Sequence, residues 1–143
     1  MKLLETQGGK IAPVRGQTHS PQRILVVNDE SDTRQFYCEV LTQSGYQVDT
    51  AEDGDVGWQA ASRDPDSYDL MITDNNMPKM SGVELVRKLR SARMALPVIM
   101  ATSAMPPNIE GLQIAAILTK PFYPNQLVQT VKDVLHAANG DGE

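Results

Sequence analysis

The chain has 143 residues, 41% of them hydrophobic and 22% charged, with a net charge of −5. This composition suits one globular domain with a buried core and argues against disorder or a broad basic surface for nucleic acid. A lone cysteine, Cys38, excludes an internal disulfide, and no apolar run reaches the roughly 18 residues of a membrane helix.

Residues 1–22 hold Gly8, Gly9, Pro13, Gly16 and Pro21 among polar residues with no sustained period, and read as a flexible N-terminal tail. The start lacks the apolar stretch of a signal peptide, so a cytoplasmic location is expected. Residues 23–138 carry the folded domain. Arg23 to Val27 (R-I-L-V-V) is a continuous apolar run, as a strand buried on both faces requires. Asn28, Asp29 and Glu30 end it. Ser31 or Asp32 is expected to cap a helix running to about Ser44, with Phe36, Val40 and Leu41 on its inner face and Gly45 ending it. Cys38 on that helix is expected to act as a small buried hydrophobe.

Tyr46 to Ala51 alternates like a half-buried edge strand. Asp53 and Gly54 open a helix that stops near Asp64 and Pro65. Leu70 to Ile72 is a second buried run, followed by Thr73, Asp74, Asn75, Asn76, Met77 and Pro78. Ser81 and Gly82 lead into a helix with Val83, Leu85, Val86 and Leu89 at helical spacing; Arg87, Lys88 and Arg90 sit where the helix dipole favours cations. Pro97 to Ala101 is a third buried run, ending in Thr102 and Ser103. Asn108 to Ala116 is expected to hold a short helix capped by Asn108, although Gly111 weakens it. Ala116 to Thr119 is a short strand before Lys120-Pro121-Phe122. Pro124 to Ala138 is a helix with Leu127, Val131, Val134 and Leu135 inward, and residues 139–143 are a frayed tail.

Five strands alternating with five helices predict an α/β fold. Right-handed crossovers favour a flavodoxin-like, doubly wound parallel sheet of order 2-1-3-4-5, helices on both faces, with the ligand crevice outside the strands' carboxyl ends. Those ends present Asn28, Asp29 and Glu30, then Asp74, then Thr102 and Ser103, then Lys120. Singly, each is ordinary: a turn acid, a strand-ending threonine, a solvated lysine. Together they are a chemical set. Asp29 and Asp74 can share a hard cation such as Mg²⁺, which takes one or two carboxylates and keeps several waters. A carboxylate can attack phosphorus to form an acyl phosphate. A lysine point charge neutralises the developing negative charge, and a hydroxyl such as Thr102 can donate to the phosphoryl oxygens.

This set resembles the receiver domain of two-component response regulators. The motifs are I-L-V-V-N-D-E at 24–30, M-I-T-D-N-N-M-P at 71–78 with M-S-G at 80–82, P-V-I-M-A-T-S-A at 97–104, and K-P-F at 120–122. The resemblance implies that Asp74 is the phosphoacceptor, loaded by a histidine kinase or histidine phosphotransfer protein. It implies that Asp29 is the main Mg²⁺ carboxylate, that Asn76 adds its backbone carbonyl, that Thr102 is the switch hydroxyl and that Lys120 pairs with the phosphoryl group. It also implies a Lys120–Pro121 bond that is commonly cis. Only one helix follows Phe122 here, so a stand-alone receiver is expected, signalling by protein contact to a downstream protein, with no nucleic acid or membrane as partner. It is not expected to be an enzyme beyond its own phosphotransfer and dephosphorylation.

Three departures qualify this. Two acids usually follow the first strand; here the first is Asn28, a neutral contact to the metal, weak or through a water. The aromatic switch residue is Ile117, so the usual coupling to Thr102 lacks its ring. The stretch from Thr102 to Lys120 is shorter than usual by roughly one helical turn. That stretch is a common pairing face in the family, so a monomer is expected. The alternative reading is a pseudo-receiver, a docking module with no phosphoryl turnover. Ala104 is small and leaves a phosphoryl group open to hydrolysis. Asn28 predicts weakened but not abolished Mg²⁺ binding; Asn28→Asp is expected to raise Mg²⁺ affinity, and a titration showing little change would contradict this.

Overall fold

The computed structural model describes residues 21–139. The expected tails, residues 1–22 and 139–143, lie outside the described residues apart from Pro21, Gln22 and Asn139. The chain runs β1 (Arg23–Val27), α1 (Ser31–Gln43), β2 (Gln47–Ala51), α2 (Gly54–Arg63), β3 (Leu70–Asp74), α3 (Gly82–Ser91), β4 (Val98–Thr102), β5 (Ala116–Thr119) and α4 (Pro124–Ala138). The strands form one sheet of order β2-β1-β3-β4-β5. Every neighbouring pair is parallel. This is the expected 2-1-3-4-5 sheet.

The continuous apolar runs serve two layers at once, because successive strand residues point to opposite faces. Ile24, Val26, Leu70, Ile72, Ile99 and Leu118 face one layer, closed by Tyr37 and Leu41 of α1 and Leu127 and Val131 of α4. Leu25, Val27, Met71, Val98 and Met100 face the other, closed by Ala61 of α2 and by Leu85, Val86 and Leu89 of α3. β2 is the expected edge strand, but its burial does not alternate: Gln47 and Thr50 are exposed, Val48 and Asp49 partly buried and Ala51 buried.

Three expectations about α1 need correction. The cap position of α1 is Glu30, with no side-chain capping bond; Ser31 and Asp32 already lie inside the helix. The buried pair on α1 is Tyr37 and Leu41, one turn apart, while Phe36 and Val40 are only partly buried beside them. Cys38 follows Tyr37 on the helix, off that stripe, and is half-buried rather than buried; partial burial pushes its thiol up, away from the reactive thiolate.

The fifth helix is absent: Asn108, Gly111 and Gln113 have φ of 61°, 82° and 58°. Left-handed residues interrupt a right-handed helix, so the segment between β4 and β5 stays irregular. It is tied down by arginines of α3 instead. Arg87 donates to the Asn108 carbonyl at 2.8 Å. Arg90 donates to the carbonyls of Leu112 at 2.8 Å and Gln113 at 3.3 Å in that segment, and to those of Met94 at 2.7 Å and Leu96 at 3.0 Å in the connection before β4.

The remaining helix starts follow local chemistry. At α3 the Ser81 hydroxyl accepts the Glu84 N–H and the Glu84 carboxylate accepts the Ser81 N–H, a reciprocal cap. At α2 the Asp53 carboxylate accepts the Val56 N–H at 2.9 Å. That bond, and then the nearby Lys79, hold the Asp53 carboxyl below the usual carboxylate range against the opposing effect of burial. A lowered native pKa adds stability that is complete above the unfolded-state pKa and is lost as pH falls through the native one. Asp53→Ala is therefore expected to cost about 1 kcal/mol at neutral pH. The gap to wild type should close in acid below about pH 4, as measured by urea unfolding across a pH series.

Candidate functional site

Parallel strands bring their carboxyl ends to one rim. Asn28 continues β1, its N–H donating to the Ala51 carbonyl at 3.0 Å. Its own carbonyl accepts the Arg34 guanidinium at 2.6 Å, and its side-chain oxygen accepts the Glu30 N–H at 2.9 Å. Val27 pairs with Thr73 in the sheet, so Asn28 and Asp74 stand side by side on adjacent strands.

Asp74 is the last residue of β3 and only 8% exposed. Its Oδ2 accepts the Lys120 ammonium at 3.0 Å, and its Oδ1 accepts the Asn76 N–H at 3.3 Å. Lys120 is placed by β5, its N–H donating to the Thr102 carbonyl at 2.9 Å. The Lys120–Pro121 bond is cis. The loop after Asp74 turns back on itself, with the Gly82 N–H bonded to the Asn75 carbonyl at 3.0 Å. A Cβ at Gly82 would lie 2.3 Å from the Asp74 carbonyl oxygen, so this close approach requires glycine.

The structure thus brings Asn28, Asp74, Asn76 and Lys120 together. Thr102 ends the adjacent strand, one position beyond the Asp74–Ala101 pair. Its hydroxyl is turned to its own loop, donating to the Ala104 carbonyl at 3.0 Å. Asp29 is exposed at the end of β1. Ile117, where the family places its aromatic residue, is partly buried against the α2–α3 layer. One buried residue in the layer beneath the site escaped the sequence reading: Tyr37, which is 1% exposed. Its phenol is held well above its ordinary pKa, first by burial and then by the charge of Asp74. The four-residue spacing of Tyr37 and Leu41 was the available signal.

Among the described residues no three or more His, Cys, Asp or Glu side chains cluster as a metal cage. Two carboxylates, Asp29 and Asp74, and the carbonyl of Asn76 remain at the rim. That is a fitting donor set for Mg²⁺, which binds through few protein oxygens and retains water, and a poor one for a fully protein-caged ion.

The family model of the response regulator receiver domain matches residues 24–132. A chemotaxis protein CheY homolog of Campylobacter jejuni is 35% identical over 84% of this chain and 97% of its own length. The crystal structure of CheY4 of Vibrio cholerae superposes with a TM-score of 0.73 at 30% identity, over 80% of this chain and 99% of that one. That of TrrA of Thermotoga maritima, in complex with Mg²⁺-BeF, does so at 0.70 and 30%, over 79% and 98%. The chain spans about half the length of several transcriptional regulatory proteins it also matches. The chain belongs to the response regulator receiver family, the signalling domains through which two-component systems act by phosphorylation.

Proposed function

We propose that Asp74 accepts a phosphoryl group from a histidine kinase or histidine phosphotransfer protein, and that the phosphorylated domain signals through contact with a downstream protein. The observation that carries this reading is the Lys120 ammonium at 3.0 Å from the Asp74 carboxylate, at a strand end beside the open Asp29.

In the reaction a carboxylate oxygen of Asp74 forms the new O–P bond while the bond from phosphorus to the donor breaks. The donor leaves as a carboxylate or an imidazole. Lys120 already bonds Oδ2, and its charge can follow the electrons onto the phosphoryl oxygens with little movement. The Asn76 N–H holds Oδ1, fixing the carboxylate's direction of attack. The Thr102 hydroxyl exchanges its bond to the Ala104 carbonyl for one to a phosphoryl oxygen, which shifts the loop after β4. Asp29, Asp74 and the Asn76 carbonyl would hold Mg²⁺, with Asn28 contributing at most through a water. Bound there, Mg²⁺ would supply positive charge to the phosphoryl group; that TrrA is in complex with Mg²⁺-BeF supports a divalent cation for this chain.

Signal output differs from the usual aromatic coupling. Ile117 has no ring to swing, and the segment from Ser103 to Ala115 is an arginine-tethered loop rather than a helix. A shift at Thr102 would be passed to this loop directly, since Thr102 begins it.

The test is intact-mass spectrometry after incubation with acetyl phosphate, with and without Mg²⁺. Wild type is expected to gain one phosphoryl group in a Mg²⁺-dependent way, and Asp74→Ala none. Lys120→Met is expected to slow adduct formation by roughly 10²-fold, the usual effect of removing one preorganised donor. A folded wild type that gains no mass would instead identify a docking module without phosphoryl turnover.

A further inference from the structure

Two buried polar side-chain atoms lack a hydrogen-bond partner among the described residues: Asn28 Nδ2 and Tyr37 Oη. Buried donors are almost always paired, because a lost hydrogen bond is not replaced by water. That both orphans lie on one face of the sheet, under α1, needs an account.

Asn28 is 1% exposed. Its orientation is determined by Glu30, whose N–H can only donate and so must meet the amide oxygen, at 2.9 Å. The amide nitrogen is left on the other side. Ile24 and Val26 belong to the α1–α4 layer, as do Leu70 and Ile72. Strand alternation carries Asn28 and Asp74 to that same layer. Tyr37 covers the layer from α1, its ring centroid 6.2 Å from that of Phe122, two residues beyond Lys120. Asn28 and Tyr37 therefore lie on the same face of the sheet as Asp74, which Lys120 bonds from the end of β5. The effect of the Asp74 charge on the Tyr37 phenol agrees with this placement.

Supply and demand differ between the two states of the site. In the resting state Lys120 and Asn76 each serve one oxygen of Asp74. A phosphoryl group adds three strong acceptor oxygens. A phenylalanine at position 37 would fill the core without an orphan hydroxyl, so the hydroxyl has no use in the resting packing.

We propose that Asn28 and Tyr37 are donors reserved for the phosphorylated state: the Asn28 Nδ2–H and the Tyr37 Oη–H hydrogen-bond the oxygens of phosphorylated Asp74. The inference rests on the phosphoacceptor reading above. Asn28 then stabilises the anion through its nitrogen in the place where a second acid would help hold a cation. Loading of Asp74 accordingly depends less on divalent cation than in a site with two acids after β1.

The experiment is calorimetric titration with beryllofluoride, a phosphoryl mimic, at fixed Mg²⁺, beside thermal melting of the ligand-free protein. Tyr37→Phe removes one oxygen atom and is expected to melt at or above the wild-type temperature, because an unpaired buried hydroxyl is gone. It is expected to bind beryllofluoride about tenfold more weakly, as loss of a hydrogen bond to a charged group predicts. Asn28→Ala adds no charge and is expected to weaken binding by a similar factor. Unchanged affinity in Tyr37→Phe overturns the proposal, as does weaker binding accompanied by a lower melting temperature, which marks a packing role. Wild type that binds no beryllofluoride overturns the phosphoacceptor reading and this one together; wild type that binds, with variants that bind equally well, overturns only the donor pair.

Discussion

One charge-assisted hydrogen bond, Lys120 to Asp74 at 3.0 Å, joins residues 46 positions apart and depends on nearly everything else in the fold. Asp74 is delivered by the fully buried β3, Lys120 by the edge strand β5, and β4 lies between them. The pair exists because the strands are parallel and stop at the same level. It lies at the rim, with the lysine partly exposed and the aspartate nearly buried. There the attraction between the charges is stronger than in water, while neither group bears the full desolvation of a deep interior. An ammonium so placed keeps the carboxylate aimed.

Around this pair, the sheet's two layers divide the labour. The layer under α1 and α4 contains the strand positions that lead to Asn28 and Asp74, and it holds Tyr37 and the neighbouring Phe36 and Phe122 rings. The layer under α2 and α3 leads to Met100 and to the loop after Thr102. A change at Asp74 thus has two directions to travel. One is toward α1, where Arg34 and Glu30 clamp Asn28. The other is toward the segment that Arg87 and Arg90 fasten to α3. Arg90 is partly buried, and burial pulls its pKa down, but it stays charged because guanidinium is so strong a base. Its planar fork can satisfy several loop carbonyls that a helix would have satisfied internally. The loop is thereby ordered without a helix, through a few side-chain bonds that can exchange partners.

The charge count of the site separates it from a two-acid design. Replacing one carboxylate by the Asn28 amide removes repulsion around Asp74 and adds N–H donors. On the proposal made above, that change trades cation affinity for direct hydrogen bonding to an anion.

The sequence alone determined the strands, their parallel order and the residues at the rim. Continuous apolar runs ending in Asp74, Thr102 and Lys120 admit few other arrangements, because hydrophobic periodicity and crossover handedness are local or nearly local rules. Four helices were legible for the same reason. Tertiary structure decided the rest. Left-handed backbone at Asn108, Gly111 and Gln113 removed the fifth helix, which Gly111 had already weakened in the sequence, and its replacement by arginine–carbonyl bonds depends on α3 lying alongside. The rotation of α1, which buries Tyr37 rather than Phe36, is set by packing against Leu118, Leu127 and Phe122 from the far end of the chain. The Thr102 hydroxyl bonded to Ala104, and the two donors at Asn28 and Tyr37 left unpaired among the described residues, are likewise properties of the assembled fold. Hydrogen-bond satisfaction is counted over all the groups that surround an atom, and those groups come from four different elements of the fold.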